Sequence, residues 1–305
     1  MNLLAINLAL TLARTDATWL TRLLEPFDYG FMIQAMLIAA LIGAVSALLS
    51  CFLVLKGWSL MGDAISHAVL PGIILAYVVG APLALGAFIA GMFCAVSTGW
   101  IKSHSRVKED TVLGIVFTGL FALGLVMLTK IETNIHLNHI LLGNLLGIEQ
   151  HDMIQVVVSC GLVLLVTIVK RRDLMLLCFD PAQAKACGLN TTVLYYVLLG
   201  LIAMTAVAAL QAVGFILTVA MLIAPGAIGY LLTDRFGKML WIATASAVFS
   251  SVAGTYVSFF FNNSSAGCIV LIQATIFVAA VIFAPKHGLI SRWRQVKAAL
   301  RVVAK

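Results

Sequence analysis

Apolar residues run almost unbroken through nine stretches of the chain, at 31–55, 58–79, 82–101, 111–129, 153–169, 191–210, 213–233, 239–260 and 268–284. Each comes close to the roughly 20 residues that a helix needs to cross a bilayer core. Polar residues gather in the gaps, above all in KSHSRVKED (102–110) and KRRDLMLLCFDPAQAKACGLN (170–190). The pattern predicts an all-α polytopic membrane helix bundle. It has nine spans, or eight if one hairpin only dips into the bilayer. Residues 1–29 are set apart as an N-terminal extension, with an interfacial helix as one reading. A transmembrane domain follows over 30–285, and a basic tail over 286–305. Small residues at helical spacing (Ala39, Gly43, Ala47) suit close helix packing. Pro71 and Pro225 are expected to kink their helices, which membrane helices tolerate.

Composition agrees with the pattern. The 305 residues are 62% hydrophobic and 10% charged, with a mean hydropathy of +1.10. One soluble core of this size does not hold so much apolar surface. The six cysteines are scattered and form no CxxC pair, so they read as small buried side chains rather than a zinc or disulfide framework.

The net charge of +7 reports orientation rather than affinity for nucleic acid. With 102–110, 170–190 and the tail on the cytoplasmic side, 16 of the 19 Lys and Arg residues lie inside, and only Arg14, Arg22 and Lys130 lie outside. The positive-inside rule therefore places the C-terminus in the cytoplasm.

Against this background the stretch GWSLMGDAISHAVLPG (57–72) stands out. Asp63 is the one acid of twelve well inside a span, and His67 the one histidine of six. An ionised carboxylate at that depth costs several kcal/mol unless it faces a cavity or a partner. Spacing i, i+4 puts both side chains on one helix face. A carboxylate oxygen beside an imidazole nitrogen suits a divalent transition-metal ion. The other reading is polar glue, with the two groups satisfying each other or a neighbouring helix. Two protein ligands are too few for a specific site, so the metal reading needs a second copy or another helix.

The run EPFDYGFMIQAMLIAALIGAVSALLSCFLVLKGWSLMGDAISHAVLPG resembles the opening of the permease subunits of bacterial metal-cation ABC importers, which take up manganese, iron or zinc. The likeness continues through DTVLGIVFTGLFALG (110–124), LNHILLGNLLGI (137–148), FDPAQAKACGLN (179–190) and VGFILTVAMLIAPGAIG (213–229). It covers nearly the whole chain from about residue 25. The resemblance implies a permease dimer, of two copies or two related chains, in the bacterial cytoplasmic (inner) membrane. A metal path runs at its centre, and Asp63 and His67 of both permeases form one coordination site. It also implies a cytoplasmic ATPase subunit, an extracytoplasmic metal-binding protein and no permanently bound cofactor. HAVLPG is more like the manganese and iron members than the zinc members, which leaves zinc as the alternative cargo.

No GxxxxGK[ST] phosphate loop occurs, so the chain does not hydrolyse ATP by that route. Neither HExxH nor GxSxG occurs, and one buried aspartate is too few for an aspartyl mechanism, so an intramembrane enzyme is set aside. Asp180 and Pro181 make a good helix start, and Gly188 a good stop. On its own, such a segment is an ordinary capped loop helix. By the resemblance, 171–190 is the coupling segment that docks on the ATPase, with Asp180, Pro181, Ala184 and Gly188 as its marks. An ion-coupled secondary carrier is the competing transport reading, and it leaves this segment unexplained. His136 and His139, at i, i+3, are read as framework rather than as a second metal site.

Overall fold

The computed structural model describes residues 19–58, 60–130, 145–148, 150–284 and 288. The first 18 residues, His136, His139 and almost all of the basic tail lie outside the described residues. The described elements are α1 (Trp19–Asp28), α2 (Gly30–Lys56), α3 (Met61–Ala68), α4 (Leu70–Val79), α5 (Leu83–His104) and α6 (Glu109–Lys130). A 3₁₀ turn (Leu145–Gly147) follows, then α7 (Gln150–Val169), α8 (Arg171–Phe179), α9 (Pro181–Ala186), α10 (Thr191–Val213), α11 (Phe215–Leu232), α12 (Phe236–Phe261) and α13 (Ser265–Phe283). No strand occurs among the described residues. Taking α3 and α4 together, nine stretches among the described residues are long and apolar enough to cross a membrane, as the hydropathy predicts.

The bundle is built around α2, which packs most extensively on α12 and α11. Its 27 residues end at Gly57, whose left-handed backbone (φ 76°) brings Trp58 N–H within 2.8 Å of the Leu53 carbonyl. Ala39 and Ala47 are buried, and a side chain at Gly43 would run into Ser251 Oγ and the Ala247 carbonyl. Small residues here do what they do in membranes generally, letting helix backbones approach. By contrast α6 and α7 keep wide apolar faces open, including Ile115, Val126, Val158 and Leu165, where lipid or a partner helix is the natural cover.

Pro225 sits inside α11, where it has no N–H to give and crowds the carbonyl four residues back. Ser50 of α2 compensates: Gly226 N–H donates to Ser50 Oγ (2.9 Å), and Ser50 Oγ donates to the Ile223 carbonyl (3.1 Å). Ser50→Ala removes both bonds from the core. It is expected to cost about 1–3 kcal/mol, read as a lower melting temperature of the purified protein.

Three details depart from the hydropathy reading. The second span is two helices: α3 ends at Ala68 and α4 starts at Leu70, because Pro71 cannot supply the N–H that a continuous helix would use. The polar segment 102–110 is partly helical, since α5 runs on to His104 and α6 already starts at Glu109. Residues 171–179, read as part of a polar segment, form α8, whose Leu174, Leu177 and Cys178 pack inward. The described part of the N-terminal extension is a helix, α1. Next to it the Phe27 and Tyr29 rings meet Tyr256 and Phe259 of α12 at 6.0 and 5.7 Å between centroids.

Candidate metal site

Helix α3 is eight residues long, with Asp63 in its first turn and His67 in its last. Met61, Gly62, Ala64, Ile65, Ser66 and Ala68 are buried, whereas the Asp63 and His67 side chains remain 29% and 27% exposed. The two polar groups therefore share the open face of an otherwise packed helix. The first turn also suits a carboxylate, because the helix dipole is positive there.

His67 Nε2 and Asp63 Oδ1 stand 3.6 Å apart, too far for a hydrogen bond. Among the described residues neither side chain has another polar partner. The separation lies within ion-pair range, so both the polar-glue and the metal reading fit it. An oxygen and a nitrogen thus lie side by side on one partly exposed face.

Three phenylalanines fix the imidazole. The Phe117 and Phe121 rings of α6 lie 5.6 and 5.1 Å from the His67 ring centroid, the first stacked and the second edge-on. Phe215 is closer, at 4.3 Å. Its position depends on Gly214, whose φ 80°, ψ 175° belongs to a region only glycine occupies readily, and which joins α10 to α11 in a single residue. A ring clamped on three sides holds its nitrogen in one place, which is what a ligand must do. The helix break adds to this: Pro71 lies four residues beyond His67 and has no N–H to bond the His67 carbonyl.

Sequence reasoning missed the three phenylalanines. Phe117 and Phe121 share the i, i+4 spacing of the Asp63–His67 pair, but in so apolar a chain that spacing among aromatics carries no message of its own. No group of three or more His, Cys, Asp or Glu side chains suited to a metal occurs among the described residues. Asp63 and His67 are thus two side chains of metal-binding chemistry on a partly open face, fewer than an ion requires.

The short capped helix that the sequence predicts at 180–188 is present. Asp180 caps α9, its Oδ1 accepting from Ala182 N–H (2.9 Å) and Gln183 N–H (3.0 Å). Pro181 opens the helix, and Gly188 ends it with φ 80° as Leu189 N–H reaches the Ala184 carbonyl (3.1 Å). Ala184 itself is fully buried, so it anchors the helix to the bundle. The outward face belongs to Pro181, Ala182, Gln183, Lys185 and Ala186. Asn190 then caps α10 by accepting from Val193 N–H. Just before α9, burial pushes the Cys178 thiol up to about 11, against a smaller opposing pull from Lys56. The Lys56 ammonium donates to the Leu177 carbonyl (3.3 Å) and so ties the end of α2 to α8.

The chain belongs to the ABC 3 transport family, whose model matches residues 28–284. It is 54% identical over 274 residues to a manganese transport system membrane protein, MntB, of Synechocystis, covering 90% of each chain. It is 55% identical over 259 residues to the chelated iron transport system membrane protein YfeD of Yersinia pestis, covering 85% of this chain and 87% of that one. Among solved structures it resembles PsaBC from Streptococcus pneumoniae, determined in complex with a Fab. That match has a TM-score of 0.80 at 33% identity and covers 91% of this chain and 99% of the other. The fold is accordingly that of an ABC transporter permease, and the chain is a multi-pass membrane protein.

Proposed function

We propose that the chain is the permease subunit of an ATP-driven importer of divalent transition-metal ions, with manganese or iron(II) as cargo. The observation that carries this reading is the Asp63–His67 face: two ligand types, with no other polar partner among the described residues, held 3.6 Å apart on the partly open side of a broken helix. Two such faces, from a second copy or a related permease, give two carboxylates and two imidazoles. That set accepts manganese, iron and zinc alike, and the names of the manganese and iron relatives favour the first two over zinc.

In this reading an extracytoplasmic metal-binding protein delivers the ion, the paired faces hold it, and closure of cytoplasmic ATPase subunits against α9 releases it inward. The chain makes and breaks no covalent bond. It supplies a site whose affinity differs between the outward-open and inward-open states, without which no alternation is driven. The membrane is the bacterial cytoplasmic membrane, with lipid against the open faces of the bundle and the C-terminus inside. The test is uptake of manganese, iron(II) and zinc by cells carrying the complete transporter, beside a form whose ATPase is inactive. Uptake is expected for manganese or iron and absent without ATP hydrolysis, whereas uptake that survives the inactive ATPase would point to a secondary carrier.

The orientation has its own check. Cys187 is exposed beside α9, while Cys51, Cys94, Cys160 and Cys178 are buried. In a Cys268→Ser background, a membrane-impermeant maleimide is expected to label Cys187 in inside-out vesicles and not in right-side-out ones. The reverse pattern would invert the topology.

A further inference from the structure

The inner end of the bundle holds a pocket that lies away from the Asp63–His67 face. Leu55 at the end of α2, Phe179 at the end of α8, Tyr230 near the end of α11, Thr233 and Asp234 between α11 and α12, and Phe236 and Met239 of α12 line about 260 Å³. Its floor is fixed, since Phe236 packs on the fully buried Phe52 at 5.2 Å between centroids and Met239 is buried. Its mouth is not covered: Phe179 is 62% and Tyr230 55% exposed. Two aromatic rings thus stand open over a largely apolar hollow.

Two observations say what kind of surface covers it. The first is continuity: Phe179 is followed directly by Asp180 and Pro181, so one wall of the pocket runs into the outward face of α9. A body seated on α9 meets the pocket as well. The second is charge. Arg171, Arg172, Lys185, Arg235 and Lys238 are all exposed on the surrounding segments, and they outnumber the nearby acids: Asp173 beside Lys170, Asp180 capping α9, and Asp234 in the pocket wall. The rim is basic, so the complementary surface is acidic.

We propose that this pocket is a socket that receives one large apolar or aromatic side chain of the ATPase subunit, presented from a patch ringed by carboxylates. The proposal rests on the coupling role given above to α9 and extends it. The permease inserts a short helix into its partner, and the partner inserts a side chain into the permease. A two-way lock of this kind transmits tilting as well as pushing, because neither body can slide along the other. Buried aromatic anchors within charged rims are where binding energy concentrates in protein interfaces.

The experiment uses the complete transporter. A photo-crosslinking benzoylphenylalanine replaces Tyr230, and its adduct is identified after irradiation of intact cells. In parallel, Phe179→Ala, Tyr230→Ala and the α9 variant Ala182→Trp are compared for retention of the ATPase subunit on the purified permease. The expected result is an adduct with the ATPase subunit, together with about tenfold or more weaker association for each of Phe179→Ala and Tyr230→Ala. Both rings are exposed, so their removal leaves the fold intact. If Ala182→Trp releases the ATPase while both ring variants hold it as the parent does, the socket is overturned and the coupling role of α9 stands. If none of the three variants weakens association, the coupling reading falls and takes the socket with it. A probe at 230 that marks only lipid also overturns the socket, assigning the basic rim to anionic headgroups instead.

Discussion

Asp63→Asn is expected to reduce manganese or iron uptake at least about 100-fold, and His67→Ala to do the same, with the permease still present in the membrane at parental level. Loss of groups that merely orient a ligand already costs about 10–100-fold in metal affinity, so loss of a ligand costs no less. Asparagine keeps the size of the side chain and one acceptor oxygen while removing the charge that a divalent cation needs. If the two permeases are identical, each substitution also strikes the site twice. Stability separates this outcome from the alternative. The pair is too far apart to be hydrogen-bonded and is partly exposed, so Asp63→Asn is expected to change the unfolding free energy by no more than about 0.5 kcal/mol. Polar glue would show the opposite signature, a lower melting temperature with transport reduced only as far as folded protein is lost. Uptake assays on cells and thermal unfolding of the purified variants decide between the two. Parental uptake in both variants would remove Asp63 and His67 from the path.

What could be read from the sequence follows the strength of each physical signal. The spans were legible because apolar runs of that length and number fit a bilayer and overfill any single soluble core. Asp63 and His67 were legible because charge inside such a run demands a reason. The break at Val69 was only half legible: Pro71 announces a kink, but whether the chain bends or splits into α3 and α4 depends on packing against α5 and α6. The Phe117, Phe121 and Phe215 clamp was not legible, because phenylalanine in an apolar helix is ordinary and only the tertiary arrangement gathers three rings around one imidazole. Helix α8 was missed for a related reason. Its apolar run, 174–179, is short and follows directly on Arg171, Arg172 and Asp173, so the segment reads as part of a polar connection, and burial of Leu174 and Leu177 against the bundle decides otherwise. Ala184 shows the same limit at one residue. The capped helix around it is written in the sequence, but which of its faces turns inward is not.

The packing of α4 on α5 leads to the second large effect, Gly72→Ala, which is expected to destabilise the protein by about 3 kcal/mol. Gly72 and Gly86 face each other across these helices with backbone against backbone. A β-carbon at Gly72 would collide with the Gly86 carbonyl oxygen and come within 2.6 Å of Ala90 Cβ. One at Gly86 would collide with the Gly72 carbonyl oxygen and approach Ala76 Cβ to 2.6 Å. No side chain can rotate aside to make room, because the obstructing atoms belong to the main chain, so the helices must separate. Separation is costly in a membrane, where lipid is as apolar as the helix surface and close packing itself holds helices together. The damage also reaches the Asp63–His67 face, since Gly72 follows Pro71 immediately and a displaced α4 pulls on the junction that positions His67. Thermal unfolding of purified Gly72→Ala and Gly86→Ala is expected to show a large and similar drop for both. Gly161→Ala, whose added methyl meets nothing within 4 Å, stays within about 0.5 kcal/mol of the parent. Parental melting of both Gly72→Ala and Gly86→Ala would mean that α4 and α5 do not meet backbone to backbone, and the placement of His67 by that contact would have to be abandoned.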